Sequence, residues 1–501
     1  MSQDNSTTEL RKGRLGVLGI VFFVVAASAP LVGMTGAVPV AMLAGNLAGT
    51  PGSYLFVGIS LLLFSVGFSA MSSKVTNAGA FFAYVGRGLG RPTAVGSAFA
   101  SIVGYVTIQL AIYGFFGGLL QGQMSQYGIN LDWYLWALIG WVLVTALSLL
   151  SVDVGAWVLG GLMILELLSL TVTGVAMMVN GGPEGIDIGA SFSLDSIFAG
   201  GFVGGAGIAL AFAFASFIGF EATAIYGEES KNPKRDVPRA TYWAIGIITA
   251  LFALVSLAMV TGMGHSHVAD YVVANSADSS GAPLTNPAGV LFSLADHYVG
   301  HWIVDVMSWL IVSSLFAGLL AFQNAAGRYF FALGRGRVLP ASVGTTNKRG
   351  APQVGVLIVS VLALVVILAF KFANLQPIAN LFFWMSAITA IAISLVEILV
   401  SIAVIRYFLK HPGENVFKVL VAPALAIISM ALGLYLLMSR FALLAGLAPD
   451  GVDPSTADSS WKISTLGWVL MLSPFIALVI GIAWSIINKK DDSKLTDDIL
   501  S

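Results

Sequence analysis

The chain has 501 residues, is 57% hydrophobic and carries only 10% charged residues, against about a quarter charged in an average soluble domain. A net charge of −1 gives no electrostatic case for nucleic acid, and the absence of cysteine excludes disulfides, thiolate metal sites and cysteine nucleophiles. Such a composition places the chain among membrane proteins before any residue is read.

The polar, basic start M-S-Q-D-N-S-T-T-E-L-R-K-G-R precedes an apolar segment far longer than a signal-peptide core and without a convincing cleavage site, so that segment reads as the first span. Twelve apolar runs follow one another, near 14–45, 52–71, 93–123, 133–150, 155–180, 200–228, 239–263, 302–334, 353–371, 377–406, 417–440 and 464–488. Their lengths suit about 30 Å of hydrocarbon. Continuous apolarity without period-2 alternation selects helices over a barrel. The fold class expected is all-α integral membrane. With the N-terminus cytoplasmic, twenty Lys and Arg fall on inside segments and three (Lys371, Arg440, Lys462) on outside ones. That bias places both termini, 1–13 and 489–501, in the cytoplasm. In the longest outside loop, N-P-A-G-V-L-F-S-L-A-D-H-Y-V-G (286–300) has helical periodicity.

Two spans carry breaks. The first contains A-A-S-A-P-L-V-G-M-T-G-A-V-P (26–39): Pro30 removes a backbone donor, Gly33 and Gly36 permit non-helical angles, and Ser28 and Thr35 can bond freed backbone groups. The sixth contains S-F-I-G-F-E (216–221), with five glycines at 200–207 before it and an acid, Glu221, at membrane depth. A charge there costs roughly 2.5–3.5 kcal/mol on insertion scales. Spans one and six are corresponding members of two halves, 14–180 and 200–406, that enter from opposite sides, with 417–488 as two additional helices. Interrupted helices at matching places in inverted halves point to a secondary transporter with its site at the midplane; glycine and proline that merely kink or pack helices are the plain alternative. The outer half of span one would present free N–H groups to a carboxylate, and the half-helices ending at the midplane would present carbonyls to an ammonium. A substrate carrying both groups fits, an amino acid or a related amine.

The stretch S-F-I-G-F-E-A-T-A-I-Y-G-E-E-S-K-N-P-K-R-D-V-P-R-A (216–240) closely resembles the signature of the amino acid–polyamine–organocation (APC) family. T-N-A-G-A-F-F-A-Y-V-G-R-G-L-G-R (76–91), A-G-R-Y-F-F-A-L-G-R-G-R-V-L-P (326–340) and the broken first helix are similar to it as well. The resemblance implies a LeuT-type fold of two inverted five-helix repeats plus two helices, alternating access, and amino acids, polyamines or related cations as substrates, moved by proton symport or by exchange. Two departures stand out. The first-helix break reads V-G-M-T-G behind an additional S-A-P, where the family more often has G-S/T-G. In span five, L-G-G-L-M-I-L-E-L-L-S-L (159–170) places Glu166 where the best-matched relatives carry a lysine.

The substrate residues expected are Ser28, Gly33, Met34, Thr35 and Gly36 on span one, Tyr105 and Gln109 on span three, Ser216, Phe217, Gly219, Phe220 and Glu221 on span six, and Trp384 as a gate on span ten. Tyr105, Gln109 and Tyr113 share one helix face by their spacing. Ion or proton coupling falls to Glu166, Glu221, Ser313 and Ser314. Glu221 also reads as a structural acid satisfied by local N–H groups, and Glu166 as an interhelical hydrogen bond. Glu397 reads as a buried partner to another helix, and Asp305 and Arg328 as interfacial charges at the ends of span eight. His297 and His301 lack a third metal ligand, no strand precedes G-R-G-L-G-R, and no catalytic grouping is present, so neither cofactor nor enzyme activity is expected. The reading is a permease of the plasma membrane that imports an amino acid or small amine, with a proton or sodium ion as coupling partner. Exchange, or ion conduction on the same fold, are the rivals.

Overall fold

The computed structural model describes Gly13, Leu284 and residues 15–75, 81–150, 152–277 and 286–488. The expected tails lie outside these apart from Gly13. All twelve expected runs fall on helices, and no strand occurs among the described residues. They are α1 (Val17–Ser28, resuming at Pro30 and ending at Asn46), α2 (Thr50–Ser72), α3 (Arg91–Ser125), α4 (Trp133–Ser148), α5 (Val152–Asn180), α6 (Gly205–Ser216), α7 (Pro233–Met263), α8 (His301–Arg335), α9 (Gln353–Phe372), α10 (Pro377–Lys410), α11 (Phe417–Ser439) and α12 (Thr465–Ile487). Ten helices are long and apolar enough to cross a bilayer, counting the run from Val17 through Ser72 as one. α4, at 16 residues, is shorter. The periodic segment in the long loop is helical over Ala288–Tyr298. Short helices at Phe81–Leu89 and Val268–Asn275 are too brief for their periodicity to stand out in the sequence.

A helix that is apolar all round must choose which face to bury by packing alone. α5 shows the choice. Leu165, Leu168, Val172, Val175 and Val179 are exposed, at alternating steps of three and four. Met163, Glu166, Leu170, Thr173 and Met177 repeat the same steps and are buried. Glu166 therefore lies on the inward stripe of α5, against α1, α7 and α8.

The broken helices cross in the middle of the bundle. The α-helical part of α6 packs on the later turns of α1, and the first half of α1 packs on the turns that follow the break in α6. α2 and α7 flank this pair and touch each other along their length, and α3 lies against α8 and α10.

Candidate functional site

The break in α1 is one residue wide. Ala29 is left-handed (φ 41°, ψ 66°) between Ser28 and Pro30, a conformation that costs an alanine about 1–2 kcal/mol. Pro30 disfavours the right-handed helical region for the residue before it, so the helix cannot run straight through Ala29. Proline is also well suited to a helix's first turn, so the chain re-enters a helix at once. Gly33–Ala37 and Ala41–Asn46 are π-helical turns within the resumed run. The Gly33 N–H donates to Ala29 O at 3.1 Å, so the expected unwinding at 33–36 gives way to a helical turn. Ser28 Oγ donates to Val25 O (2.8 Å) and Thr35 Oγ1 to Leu31 O (2.7 Å). Met34 is fully buried. Gly33 faces α7, where an added Cβ would lie 2.6 Å from the Phe252 ring, whereas Gly36 faces open space.

Since Pro30 has no N–H, the first donor after the break belongs to Leu31. It donates to Glu166 Oε1 at 2.7 Å, across 135 positions of sequence. Glu166 is 3% exposed. The Ser314 hydroxyl lies beside the same carboxyl; it is buried and has no geometrically sound hydrogen-bond partner among the described residues. Ser313 donates to Leu310 O of its own helix (2.9 Å).

The break in α6 is wider. The α-helix ends at Ser216, Gly219 takes φ 118°, and the chain continues as a 3₁₀ turn, Phe220–Ala224. Only glycine suits this place: the angle is one that other residues avoid, and an added Cβ would press at 3.1 Å on Ala27 of α1. The two breaks thus touch. Glu221, fully buried, accepts the Gly219 N–H on Oε2 (2.8 Å) and the Tyr105 hydroxyl on Oε1 (3.2 Å). Tyr105 in turn packs on Tyr329, with ring centroids 5.2 Å apart. Glu397 of α10 is buried and within electrostatic range of Glu221. Among the described residues Glu166, Glu221 and Glu397 make no ion pair.

The other expected residues serve the walls. Ser216 Oγ meets the Tyr54 hydroxyl (3.1 Å) and donates to Phe212 O. Phe217 packs on Phe252 (5.6 Å between centroids), and Phe220 meets Phe64 edge-on at 5.8 Å. Gln109 turns to α8, donating to Gln323 Oε1 at 2.5 Å, and Gln323 donates onward to Val356 O and Ser360 Oγ of α9. Trp384 is half-buried against Phe370 of α9. Ser28, Gly219, Glu221 and Tyr105 therefore converge on one point and Leu31, Glu166 and Ser314 on a second. Gln109, Ser313 and Trp384 point elsewhere.

Sequence reading places Arg328 at an interface; the structure buries it, at 1% exposed. Its guanidinium grips Glu229 through Nε (2.9 Å) and Nη2 (2.7 Å), donates to Asn324 O, and lies 5.1 Å from the Tyr226 ring centre. About two turns on, Arg335 is bidentate to Glu228. Leu15 closes the same corner by exchanging backbone hydrogen bonds with Glu229 and Lys231. The signal was present: two adjacent acids after the sixth span and two arginines seven residues apart at the end of the eighth. Outside the spans, the donors of Ser266 lower the pKa of the Glu184 carboxyl from its ordinary value.

The amino acid permease family model matches residues 19–495. The chain belongs to the amino acid permease family. It is 30% identical over 182 residues to the branched-chain amino acid permease BcaP of Lactococcus lactis, 36% of each chain. To the amino-acid permease GAP5 of Candida albicans it is 24% identical over 357 residues, 69% of this chain and 54% of that one. The matches thus span between 36% and 54% of the length of these relatives. Among solved structures, a manganese transporter from Eremococcus coleocola superposes with a TM-score of 0.54 at 14% identity, covering 99% of both chains. MhsT in complex with L-phenylalanine superposes with a TM-score of 0.52 at 14% identity, covering 85% of this chain and all of MhsT. The fold is the LeuT-type transporter fold. The chain is a multi-pass membrane protein of this family.

Proposed function

We propose that this permease carries an amino acid or small amine across the plasma membrane by alternating access and that uptake is driven by a proton. The contact of the two breaks supports this reading most directly. Gly219 lies against Ala27 and Ser28, so broken backbone from both helices meets at a single place inside the bundle, where irregular chain is tolerated because it is buried in protein or lines a cavity. In this reading the carbonyl ends of the half-helices, near Ser28 and Ser216, receive an ammonium group. The N–H that opens the second half of α1, which here donates to Glu166, is in this reading the group that binds the substrate carboxylate. Glu221 adds a carboxyl with two donors and no cation, and a buried carboxylate without a counter-ion is costly. A proton or the substrate's own ammonium relieves it. The relatives named as amino acid permeases and the phenylalanine in MhsT support the substrate class. In this reading 14–180 and 200–406 are the inverted repeats and both termini are cytoplasmic.

The test is uptake in proteoliposomes of labelled amino acids, diamines and monoamines under an inward proton gradient, an inward sodium gradient, or preloaded substrate. Proton-driven accumulation of one class is the expected result, and Glu221→Gln should abolish it. Unchanged uptake in that variant removes Glu221 from the mechanism. Flux only against preloaded substrate makes the protein an exchanger.

A further inference from the structure

We propose that Glu166 and the substrate's carboxylate compete for the Leu31 N–H, and that a proton arriving on Glu166 is what yields this donor to the substrate. The inference rests on the reading above, that a carboxylate binds at the start of the second half of α1.

The observations are geometric. Proline at 30 leaves Leu31 as the first N–H of the resumed helix, and Glu166 Oε1 takes it at 2.7 Å. A carboxyl from another helix therefore occupies the position where the dipole favours a negative charge. Glu166 reaches it because the inward stripe of α5 faces α1. One N–H does not serve two carboxylates well, and two such charges about 4 Å apart repel by roughly 4 kcal/mol at an effective dielectric constant of 20. An ionised Glu166 thus opposes a substrate carboxylate twice, by holding the donor and by repulsion.

Protonation removes both obstacles. The step is Glu166 carboxylate plus one aqueous proton giving the neutral carboxyl, with no other bond made or broken. A neutral acceptor holds an N–H about half as strongly as a charged one. The new O–H also has a partner waiting. Ser314 Oγ is buried, 2% exposed, beside the carboxyl; as a hydroxyl it can donate to the ionised carboxylate or accept the hydrogen of the neutral acid. Among the described residues, the groups acting on the Glu166 carboxyl are the Leu31 N–H and Ser314. Proton binding and carboxylate binding are then linked at one atom, which is symport by competition. A sodium-like cation is not required at this place.

The purified protein tests this by equilibrium binding across pH. Its amino acid substrate should bind more tightly as pH falls, by up to roughly tenfold per pH unit where Glu166 is ionised. About one proton should be taken up per substrate bound, read with a pH dye in weak buffer. The decarboxylated amine of the same substrate should bind without that slope. Glu166→Gln should flatten the slope for the amino acid, and Ser314→Ala should shift it. A slope that survives in Glu166→Gln overturns the inference alone and leaves the amino acid reading standing. Failure of every amino acid to bind the wild-type protein at any pH overturns both. Should Glu166→Gln not fold, the wild-type comparison of amino acid with amine decides: equal slopes, or no proton uptake, sink the proposal.

Discussion

The two helix breaks solve one problem by opposite means. In α6 the opening is local and self-contained: Gly219 turns the chain, and Glu221, two residues on, reaches back to cap the Gly219 N–H, with Tyr105 as a second donor. In α1 the opening is a single strained residue, and the cap arrives from α5, 135 positions away. A cap built into its own turn travels with the helix that carries it. A borrowed cap exists only while two helices keep their register. The α6 break therefore keeps its cap wherever the helix goes, whereas the α1 break keeps its cap only while α1 and α5 hold their register.

The largest effect bears on what anchors the α6 side. Arg328→Ala removes the buried guanidinium that Glu229 holds and should destabilise the protein by about 3–5 kcal/mol. The double variant Arg328→Met, Glu229→Leu should recover most of that loss in the same unfolding measurement. Equal loss in both would mean that packing and not charge holds this corner. Next comes the comparison of the caps. Glu221→Ala strands two buried donors and should cost about 2–5 kcal/mol, whereas Glu166→Ala strands one and should cost about 1–3. A reversed order in thermal unfolding would break the contrast between local and borrowed caps. The smallest effect sharpens it: Tyr105→Phe removes one hydrogen bond from Glu221 while the Gly219 N–H remains, and should cost about 1–1.5 kcal/mol.

Much of this was legible in the sequence. The runs, the helical class, the break at Gly219 and the buried acid beside it follow from composition and from residues adjacent in the chain. The extent of the α1 break did not, because Gly33 and Gly36 read as openings when Pro30 alone makes the turn and lets the helix resume. Glu166 to Leu31 and Arg328 to Glu229 join positions 135 and 99 apart, and no local pattern names such a partner. Direction was equally hidden. Tyr105 and Gln109 share a helix face by spacing, yet Tyr105 meets Glu221 and Gln109 turns to Gln323, since a helix surrounded by neighbours has more than one inward side.

The pairing of Arg328 with Glu229 has an electrical meaning. Each charge carried across the bilayer does work of about 2.3 kcal/mol per 100 mV. Bound to each other through two nitrogens and two oxygens, the guanidinium and the carboxylate form a neutral unit. Any rearrangement that keeps them together moves no net charge through the field. Voltage then does no work on this pair, and a voltage-dependent step reports on other charges, the carboxyls at the breaks and what they bind among them.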